Sequence, residues 1–382
     1  MPVYFDHNAT TPLDPRVLET MLPFLREQFG NPSSIHRLGR AARSAIDTAR
    51  EQVADLLDAH PQEVVFTSGG TEANNLAIRG FAARCEPARM LLGATEHASV
   101  SNAAESLVAD GWRVERVPVD GEGRIQGEAL ARLLAGPVAL VSIMAANNET
   151  GVVQDIRAVA EKARAVGAVA HTDAVQAAGK IAVSFRASGV QLMSVSAHKI
   201  NGPKGVGALI ADKAVDLEPA LYGGGQEQGR RSGTENVAGI VGFGAAAALA
   251  KAALADYAAA TAQLRARLES SLRAIGGIEV FSARAERLPN TICFAAHGVD
   301  GETLLLQLDR AAFAASSGSA CGSGRAEPNP VLLSMGVAAE LARGSMRVSL
   351  GAGNTVAQVD AFVAALVQAL HKLRPAVRRA MA

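Results

Sequence analysis

Short apolar runs alternate with amphipathic stretches along the first half of the chain. Between Glu63 and Leu209 we predict six strands, at 64–67, 90–93, 113–119, 139–144, 168–172 and 192–195. Helices are predicted between them, at 71–83, 99–109, 127–135 and 155–166. This alternation is typical of a mostly parallel sheet with helices on both faces. Because ligands of such sheets bind beyond the carboxyl ends of the strands, functional residues are expected in the loops that follow strands.

The second half of the chain has a different pattern. An alanine-rich stretch from 236 to 275 predicts one long helix that ends at Gly276 and Gly277. A smaller α/β unit follows, with strands at 291–295 and 346–350 and helices at 301–310 and 355–373. We place a domain boundary near residue 260, which separates a large domain (16–260) from a small C-terminal domain (261–382).

The composition indicates a folded protein without a polyanionic partner. Of the 382 residues, 49% are hydrophobic and 19% are charged, which is enough apolar material for a large core. Basic and acidic residues number 37 each, so the formal net charge is zero, and aromatic residues make up only 4%. A nucleic-acid binder would show a basic surplus or aromatic stacking platforms. We therefore expect a small molecule or another protein as partner, and neither nucleic acid nor a membrane.

The cysteines and the apolar stretches bear on compartment. Cys85, Cys293 and Cys321 are too few and too far apart for a disulfide framework, a zinc site or a self-contained cluster. Residues 1–11 have neither the basic nor the apolar region of a signal peptide. The uncharged stretch 237–250 is shorter than a membrane span and predicts a buried helix. These features predict reduced thiols, no metal and a cytoplasmic location.

A phosphate-binding turn is one interpretation of Ser68-Gly69-Gly70-Thr71-Glu72, between a strand and a helix. Glycines let the backbone approach an anion, the helix start offers free N–H groups, and Thr71 adds a hydroxyl. An ordinary strand-to-helix turn fits the segment equally well. The segment matches neither the P-loop nor the dinucleotide fingerprint, which speaks against nucleotide hydrolysis.

Lys199 is the strongest candidate for a reactive amine. The chain has only seven lysines, and this one ends Ser194-Val195-Ser196-Ala197-His198-Lys199, where a predicted strand meets a turn. A partly desolvated amine can have a lowered pKa and form a Schiff base with an aldehyde cofactor. The alternative is an exposed lysine in a turn, which we favour for Lys204.

Asp173 lies at the end of an apolar strand, in His171-Thr172-Asp173-Ala174-Val175-Gln176. A carboxylate in this position is costly to bury unpaired, so it should face a cation. The protonated ring nitrogen of pyridoxal phosphate would serve, and Gln176 could bond the ring hydroxyl. The alternative is that Asp173 caps a helix.

Three further polar positions are candidates with open alternatives. His97 follows a strand and could stack on a ring or shuttle protons, or only satisfy local hydrogen bonds. Asn148 belongs to Asn147-Asn148-Glu149-Thr150-Gly151, which could equally be a turn. Arg347 interrupts a strand pattern, and its planar fork could clamp a carboxylate or be a charge on an edge strand.

Cys321 is surrounded by small residues in Ser316-Ser317-Gly318-Ser319-Ala320-Cys321-Gly322-Ser323-Gly324. Nothing in this segment packs as a core does, so we predict a mobile loop that presents an accessible thiol. We interpret Cys293, inside an apolar run, and Cys85, at a helix end, as structural or incidental.

In combination these motifs resemble the cysteine desulfurases, aminotransferase-like enzymes of fold type I that depend on pyridoxal phosphate. The resemblance runs along nearly the whole chain, from 6–11 and 30–34 through the motifs above to 223–227 and 231–234. The segment at 316–321 is similar to the nitrogen-fixation and iron–sulfur-cluster branch, where a long loop carries the cysteine. The implied fold is α/β: a mainly parallel seven-stranded sheet between helices, a smaller C-terminal α/β domain, and an N-terminal segment (1–15) that packs with it.

The resemblance implies a role for each candidate in holding the cofactor. Lys199 would bind it covalently, Asp173 would pair with its ring nitrogen and Gln176 with its ring hydroxyl. His97 would stack on the ring, and Asn148 would support the ring or the substrate. The phosphate would be held by two loops of the same chain: Gly70, Thr71, Ser196 and His198.

The resemblance also implies a substrate, a sulfur carrier and a homodimer. Arg347 would hold the carboxylate of L-cysteine, and Lys199 and His97 would move protons. Cys321 would take the sulfur as a persulfide and release alanine. Thr234 would reach the phosphate in the neighbouring subunit, so the sites of a homodimer would be shared.

The resemblance leaves two questions open, the sulfur acceptor and the activity itself. Only 35 residues follow Arg347, fewer than in the housekeeping type, whose C-terminal part docks a scaffold protein. The sulfur acceptor, an iron–sulfur scaffold or another protein, therefore stays open. A selenocysteine lyase or a related aminotransferase-like enzyme is an alternative, and so is a degenerate member kept as an interaction protein, although Lys199, Asp173 and Cys321 are all present.

Overall fold

A computed structural model describes residues 2–318 and 327–380 of the chain, with side chains to residue 374. Within this part the strands are β1 (Val3–Tyr4), β2 (Val64–Thr67), β3 (Arg89–Gly93), β4 (Arg113–Val117), β5 (Leu140–Ser142), β6 (Val169–Asp173), β7 (Leu192–Ser196), β8 (Gly207–Ala211), β9 (Ile278–Val280), β10 (Thr291–Ala296), β11 (Phe313–Ala314), β12 (Ser316–Ser317) and β13 (Ser345–Ser349). The α-helices are α1 (Pro15–Arg26), α2 (Arg37–Leu56), α3 (Gly70–Asn75), α4 (Ala98–Glu105), α5 (Gly127–Leu133), α6 (Ile156–Ala165), α7 (Phe185–Ser188), α8 (Val237–Arg273), α9 (Gly301–Arg310), α10 (Pro330–Ser334), α11 (Ala339–Arg343) and α12 (Val356–Ala380).

The larger sheet has seven strands in the order β2-β8-β7-β6-β5-β3-β4. β8 runs antiparallel to both of its neighbours, and the other six strands share one direction. The mainly parallel seven-stranded sheet implied by the resemblance is confirmed. The six predicted strands are all present, but the pattern misses β8, whose sequence of Gly and Ala with one Leu and one Ile has a weak strand signal.

Helices cover both faces of this sheet, as the side chains of its strands show. Val64 and Phe66 pack in one apolar cluster with residues of α2 and α8. Val65, between them, packs in another cluster with residues of α3 and α4. Since successive side chains of a strand point to opposite faces, the two clusters are the two layers on either side of the sheet.

A separate apolar cluster, the core of the C-terminal unit, surrounds the four-stranded antiparallel sheet β12-β13-β10-β9. Leu268 in the second half of α8 packs there with residues of α9 and α12, while Phe243 in its first half packs on the large sheet. Near the N-terminus, β1 pairs with β11, and Phe5 packs in this core of the C-terminal unit. The domain boundary near residue 260 lies inside α8 and stays a prediction.

Local sequence signals explain how well individual helices are predicted. α9 lies where expected, because the side chain of Asp300 accepts the N–H of Thr303 and caps its first turn. The helix expected at 71–83 is α3 followed by a π-helical stretch, Leu76–Gly80. The pattern misses α1 and α2, and α1 carries a clear start signal: Asp14 as cap with Pro15 in the first position.

Two helices in the described part of the chain, α8 and α12, are long and apolar enough to cross a membrane by length and composition alone. The core helix of a soluble protein passes the same test. α8 packs along α1, α2 and α12, and Phe243 and Leu268 are fully buried against them and the sheets. We therefore interpret α8 as a core helix.

Candidate active site

A cleft of about 290 Å³ lies beyond the carboxyl ends of the parallel strands. Nine of the ten residues expected to hold a cofactor line this cleft: Gly70, Thr71, His97, Asn148, Asp173, Gln176, Ser196, His198 and Lys199. They lie at the last residue of β2, β3, β5, β6 or β7 or in the segment that follows it. These strands share one direction, so their last residues meet at one edge of the sheet.

Lys199 ends a short 3₁₀ turn (Ala197–Lys199) directly after β7. Its Nζ donates hydrogen bonds to the carbonyl oxygens of Asn8 and Ala9, the latter at 2.8 Å. Burial, together with the positive charge of Arg347, lowers the pKa of the amine to about 8, and nearby carboxylates act in the opposite direction. With a pKa of about 8 the amine is half deprotonated near pH 8 and about one-tenth deprotonated at pH 7, so it can act as nucleophile or base.

A chain of hydrogen bonds connects Asp173 to His97. Asn74 Nδ2 donates to Asp173 Oδ2 at 2.7 Å and to Ser99 Oγ at 2.8 Å, and Ser99 Oγ lies 2.7 Å from His97 Nδ1. The backbone N–H of Ser99 also donates to that Nδ1, so the neutral ring carries its hydrogen on Nε2. Asp173 Oδ1 accepts the N–H of Val175 at 3.0 Å, but a turn and no α-helix follows β6 directly, so the helix-cap alternative is wrong.

The turn at 68–71 and the end of β7 form a concave polar surface. Ser196 Oγ is buried and has no hydrogen-bond partner in the described part of the chain. A Cβ on Gly70 would lie 2.8 Å from Val175 Cγ2, so a residue other than glycine would collide with Val175 here. His198 Nδ1 lies 3.1 Å from Thr10 Oγ1, and burial lowers the pKa of His198 to about 4, so its ring is neutral at pH 7.

Gln176 is held by two groups that the sequence analysis does not single out. Its Nε2 donates to the carbonyl oxygen of Asn8 at 2.9 Å, and its Oε1 accepts from Lys180 Nζ at 2.7 Å. Lys180 also donates to Asn8 Oδ1 at 2.9 Å and is 2% exposed. Asn8 thereby bonds Lys199, Gln176 and Lys180 at once.

Arg347 lies beside the cleft but does not line it. Its guanidinium donates to Asp6 Oδ1 at 2.7 Å, to Glu149 Oε1 at 2.5 Å and to the carbonyl oxygen of Asn148 at 3.2 Å. These two carboxylates raise its pKa despite its burial. β13 is an interior strand, paired with β10 and β12, so the edge-strand alternative is wrong. The role as a clamp for a substrate carboxylate stays a prediction.

Thr234 is the tenth candidate, and it is exposed and outside the cleft of its own chain. The segment before it is anchored on the cleft, because Arg231 Nε donates to Glu72 Oε1 at 2.9 Å and Glu72 Oε2 accepts the N–H of Ser68 at 2.8 Å. Glu227, earlier in this segment, pairs with Arg50 at 2.7 Å.

The two cysteines that the structure describes lie in different surroundings. Cys293 is fully buried in an apolar cluster, and burial raises the pKa of its thiol, as expected for a structural residue. Cys85 is an exposed free thiol whose pKa is also raised. Cys321 and the rest of 319–326 lie outside the described residues.

Asn8, Asn74 and Lys180 are the main site residues that the motifs do not reveal. Each is one polar residue in a segment without special spacing, and each has a partner about 100 to 340 residues away in the sequence: Ser349 for Asn8, Asp173 for Asn74 and Asn8 for Lys180. Asn8 belongs to the segment 6–11 on which the family resemblance rests, and Lys180 is one of only seven lysines. These are the only signals that could have found them.

Comparison with known proteins shows the family to which the chain belongs. Residues 3–362 match the aminotransferase class-V family. The chain is 46% identical to a cysteine desulfurase of Cereibacter sphaeroides, over 97% of this chain and 96% of the relative. A solved NifS-like protein superposes with a TM-score of 0.92 at 38% identity, over 98% of this chain and 100% of that one. SspA in complex with cysteine superposes at 0.82 and 32% identity, over 91% and 99%.

Proposed function

Because the chain belongs to the class-V aminotransferase family and to its cysteine desulfurases, we propose that it removes the sulfur of L-cysteine and releases L-alanine. Enzymes of this family use pyridoxal phosphate. One observation carries the proposal: an amine of lowered pKa, Lys199, lies in the same cleft as a buried carboxylate, Asp173, at the carboxyl edge of the sheet.

The residues present fit the cofactor. Asp173 is 5% exposed and has no ion-pair partner in the described part of the chain, and a protonated ring nitrogen would supply the missing cation. The unpartnered hydroxyl of Ser196 and the first N–H groups of α3, at Gly70 and Thr71, suit a phosphate. When bound, pyridoxal phosphate supplies an electron sink for the Cα of an amino acid.

Lys199 serves in this proposal as covalent anchor and then as base. Its free amine would take the Cα proton of the bound amino acid, and a pKa of about 8 leaves about a tenth of the free amine deprotonated at pH 7, far more than in an ordinary lysine. The carbonyl oxygens of Asn8 and Ala9 hold its Nζ in place. His97, fixed by Ser99, presents its Nε2–H to the cleft.

Arg347 is proposed to bind the substrate carboxylate beside Asn148. Glu149 and Asp6 already occupy its guanidinium, so a substrate carboxylate would replace one of these partners. The replacement would keep Arg347 paired with two carboxylates, one of them the substrate's.

The sulfur step is assigned to Cys321, which the structure does not describe. L-Cysteine and the Cys321 thiol give L-alanine and a Cys321 persulfide: the Cβ–S bond breaks, an S–S bond forms, and a proton replaces sulfur on Cβ. The carbon is reduced and the transferred sulfur is oxidised by the same two electrons. No outside oxidant or reductant is needed.

The decisive experiment follows alanine and sulfide from L-cysteine with pyridoxal phosphate present. The Cys321→Ala variant should keep the cofactor colour and release no sulfide, and the Cys85→Ala variant, which removes an exposed thiol, should match the wild type. Full sulfide release by Cys321→Ala would sink the assignment of Cys321. A colourless wild type would favour an interaction protein, and equal or faster turnover of L-selenocysteine would favour a selenocysteine lyase.

We further propose that the enzyme is a cytoplasmic homodimer that passes its persulfide sulfur to an acceptor protein or an iron–sulfur scaffold. The position of Thr234, exposed and away from its own cleft, supports a site shared between subunits. The anchoring of its segment by Arg231 on Glu72 supports a fixed placement of Thr234.

A further inference from the structure

Lys180 is a buried lysine without a role in the proposed reaction, in which Lys199 serves as both covalent anchor and base. It is 2% exposed, and in the described part of the chain no carboxylate lies within hydrogen-bond or ion-pair distance of its Nζ. Burial lowers its pKa well below the ordinary value, and the charges of Lys199 and Arg347 lower it further. A buried amine with no anion is costly, and a methionine of similar length would fill the space without that cost.

What Lys180 contributes is hydrogen-bond donation to two amide oxygens. Its Nζ lies 2.7 Å from Gln176 Oε1 and 2.9 Å from Asn8 Oδ1. Whether charged or neutral, a lysine nitrogen carries at least two hydrogens, so it can donate to both oxygens in either state.

Both amides are thereby oriented. Gln176 Nε2 faces the carbonyl oxygen of Asn8 at 2.9 Å, and Asn8 Nδ2 faces Thr291 Oγ1 at 2.9 Å and the carbonyl oxygen of Asn148 at 3.1 Å. Without Lys180, Asn8 Oδ1 would still accept from Asn290 Nδ2 at 3.2 Å, whereas Gln176 would be held in its orientation by its bond to Asn8 alone. Turning the amide of Gln176 would place Oε1 where Nε2 now lies. Oε1 would then face the carbonyl oxygen of Asn8 and, in the cleft, would accept hydrogen bonds where Nε2 donates them.

We propose that Lys180 is a positioning residue that keeps Gln176 a hydrogen-bond donor toward the cleft. Nε2 has a second hydrogen after its bond to Asn8, and Gln176 lines the cleft. The ligand atom opposite Gln176 is therefore an acceptor, which for pyridoxal phosphate is its ring oxygen in the deprotonated form. This inference rests on the proposed function, since it needs the cofactor in this cleft.

The test compares Lys180→Met, which removes the donors, with Lys180→Gln, whose neutral amide can still donate. The wild type, both variants and Lys162→Met, a control at an exposed lysine of α6, are loaded with pyridoxal phosphate. Two quantities are measured: the dissociation constant of the cofactor and the pH midpoint of its absorbance. Lys180→Met should raise the midpoint by about one pH unit, because an N–H donor favours the deprotonated, more negative form. It should weaken cofactor binding about tenfold.

Lys180→Gln should restore both quantities toward the wild type, and Lys162→Met should leave them unchanged. Because Lys180 acts through Gln176, adding Lys180→Met to Gln176→Leu should move the midpoint no further than Gln176→Leu alone. If Lys180→Met is poorly folded, Lys180→Ala, which removes the same donors with a smaller side chain, is measured in its place, alone and together with Gln176→Leu.

A midpoint unchanged in Lys180→Met, or a further shift in the double variant, would overturn the role of Lys180 and leave the proposed function intact. A wild type that does not bind pyridoxal phosphate would overturn both. A lower melting temperature with an unchanged midpoint would mean that Lys180 has a structural role only.

Discussion

The amine of Lys199 differs from that of an ordinary surface lysine in its surroundings. Two carbonyl oxygens hold it, burial disfavours its charge, and Arg347 adds a positive charge nearby. Lys204, five residues further on, is exposed. The two lysines therefore offer a matched pair in one turn.

We expect the cofactor-free enzyme to bond pyridoxal phosphate through Lys199 at a rate that rises with pH and levels off above about pH 9. The nucleophile is the deprotonated amine, and with a pKa of about 8 its population is nearly complete one unit higher. Borohydride trapping at a series of pH values, followed by peptide mapping, measures this rate.

Lys199→Ala should give no trapped adduct at any pH, and Lys204→Ala should behave as the wild type. A rate still rising steeply at pH 10 would contradict the lowered pKa of Lys199.

Arg347→Lys should raise the KM for L-cysteine about ten- to a hundredfold and change kcat less. Lysine keeps one charge but loses the planar fork, and a hydrogen bond to a charged group contributes about 1.5–3 kcal/mol. Steady-state kinetics measures the two constants. Arg343→Lys, at an exposed position of α11, is the control, and an unchanged KM in Arg347→Lys would count against the clamp.

At the residue scale, the sequence predicts best those groups that sit in short motifs at strand ends. Lys199, Asp173 and Ser196 are of this kind, and the structure places them in one cleft. Asn8 and Lys180 were not predicted, because only folding brings Asn8 within 3 Å of Lys180 and Gln176, which lie 172 and 168 residues away in the sequence. The contact between Lys180 and Gln176 spans only four residues, but no motif marks it. Arg347 was recognisable as unusual, but its two carboxylate partners lie 341 and 198 residues away.

Among the elements, α8 shows how small residues allow close packing. A Cβ built on Gly244 would lie 2.6 Å from the Cα of Ala49 in α2 and 2.5 Å from Gln52 Oε1. The side chain of Gln52 could move, but the backbone of α2 could not. The alanine-rich pattern predicted the length of α8 well, while the reason for its glycines depends on the neighbouring helix.

Gly244→Ala should lower the free energy of unfolding by about 1–3 kcal/mol, because the clash with α2 outweighs the gain of about 1 kcal/mol in helix propensity. Urea denaturation measures the change. Gly127→Ala, at the start of α5 where a Cβ meets nothing within 4 Å, should be neutral or slightly stabilising. A stabilised Gly244→Ala protein would show that α2 and α8 are packed less closely than described.

For the whole molecule, the position of Thr234 predicts how two damaged chains complement each other. We expect co-expressed Lys199→Ala and Thr234→Ala chains to form mixed dimers with one intact site. That site would combine Lys199 of one chain with Thr234 of the other. At limiting pyridoxal phosphate, desulfurase activity of the purified mixed dimer should exceed that of either variant alone.

If Thr234 served its own chain, no site in the mixed dimer would be intact. Activity no higher than that of the Thr234→Ala homodimer would therefore contradict a shared site.

The large sheet was predictable as a whole because strands and helices alternate over nearly 150 residues with one periodicity each. The small antiparallel sheet was only half predicted, since β9 and β12 are three and two residues long and carry no pattern of their own. Such short strands form where longer partners, β10 and β13, are already in place.

Asn8 also has a consequence for when the site can form. Its backbone N–H donates to Ser349 Oγ at 2.9 Å and its Nδ2 to Thr291 Oγ1, while its carbonyl oxygen holds Lys199. During translation residue 8 leaves the ribosome early, and residues 291 and 349 leave it late. A nascent chain that already contains Lys199 and the whole large sheet still lacks the residues to which Asn8 hydrogen-bonds, Thr291 and Ser349. We therefore expect tight binding of pyridoxal phosphate only after nearly the entire polypeptide has been synthesised. An incomplete chain would then not react with the aldehyde of the cofactor.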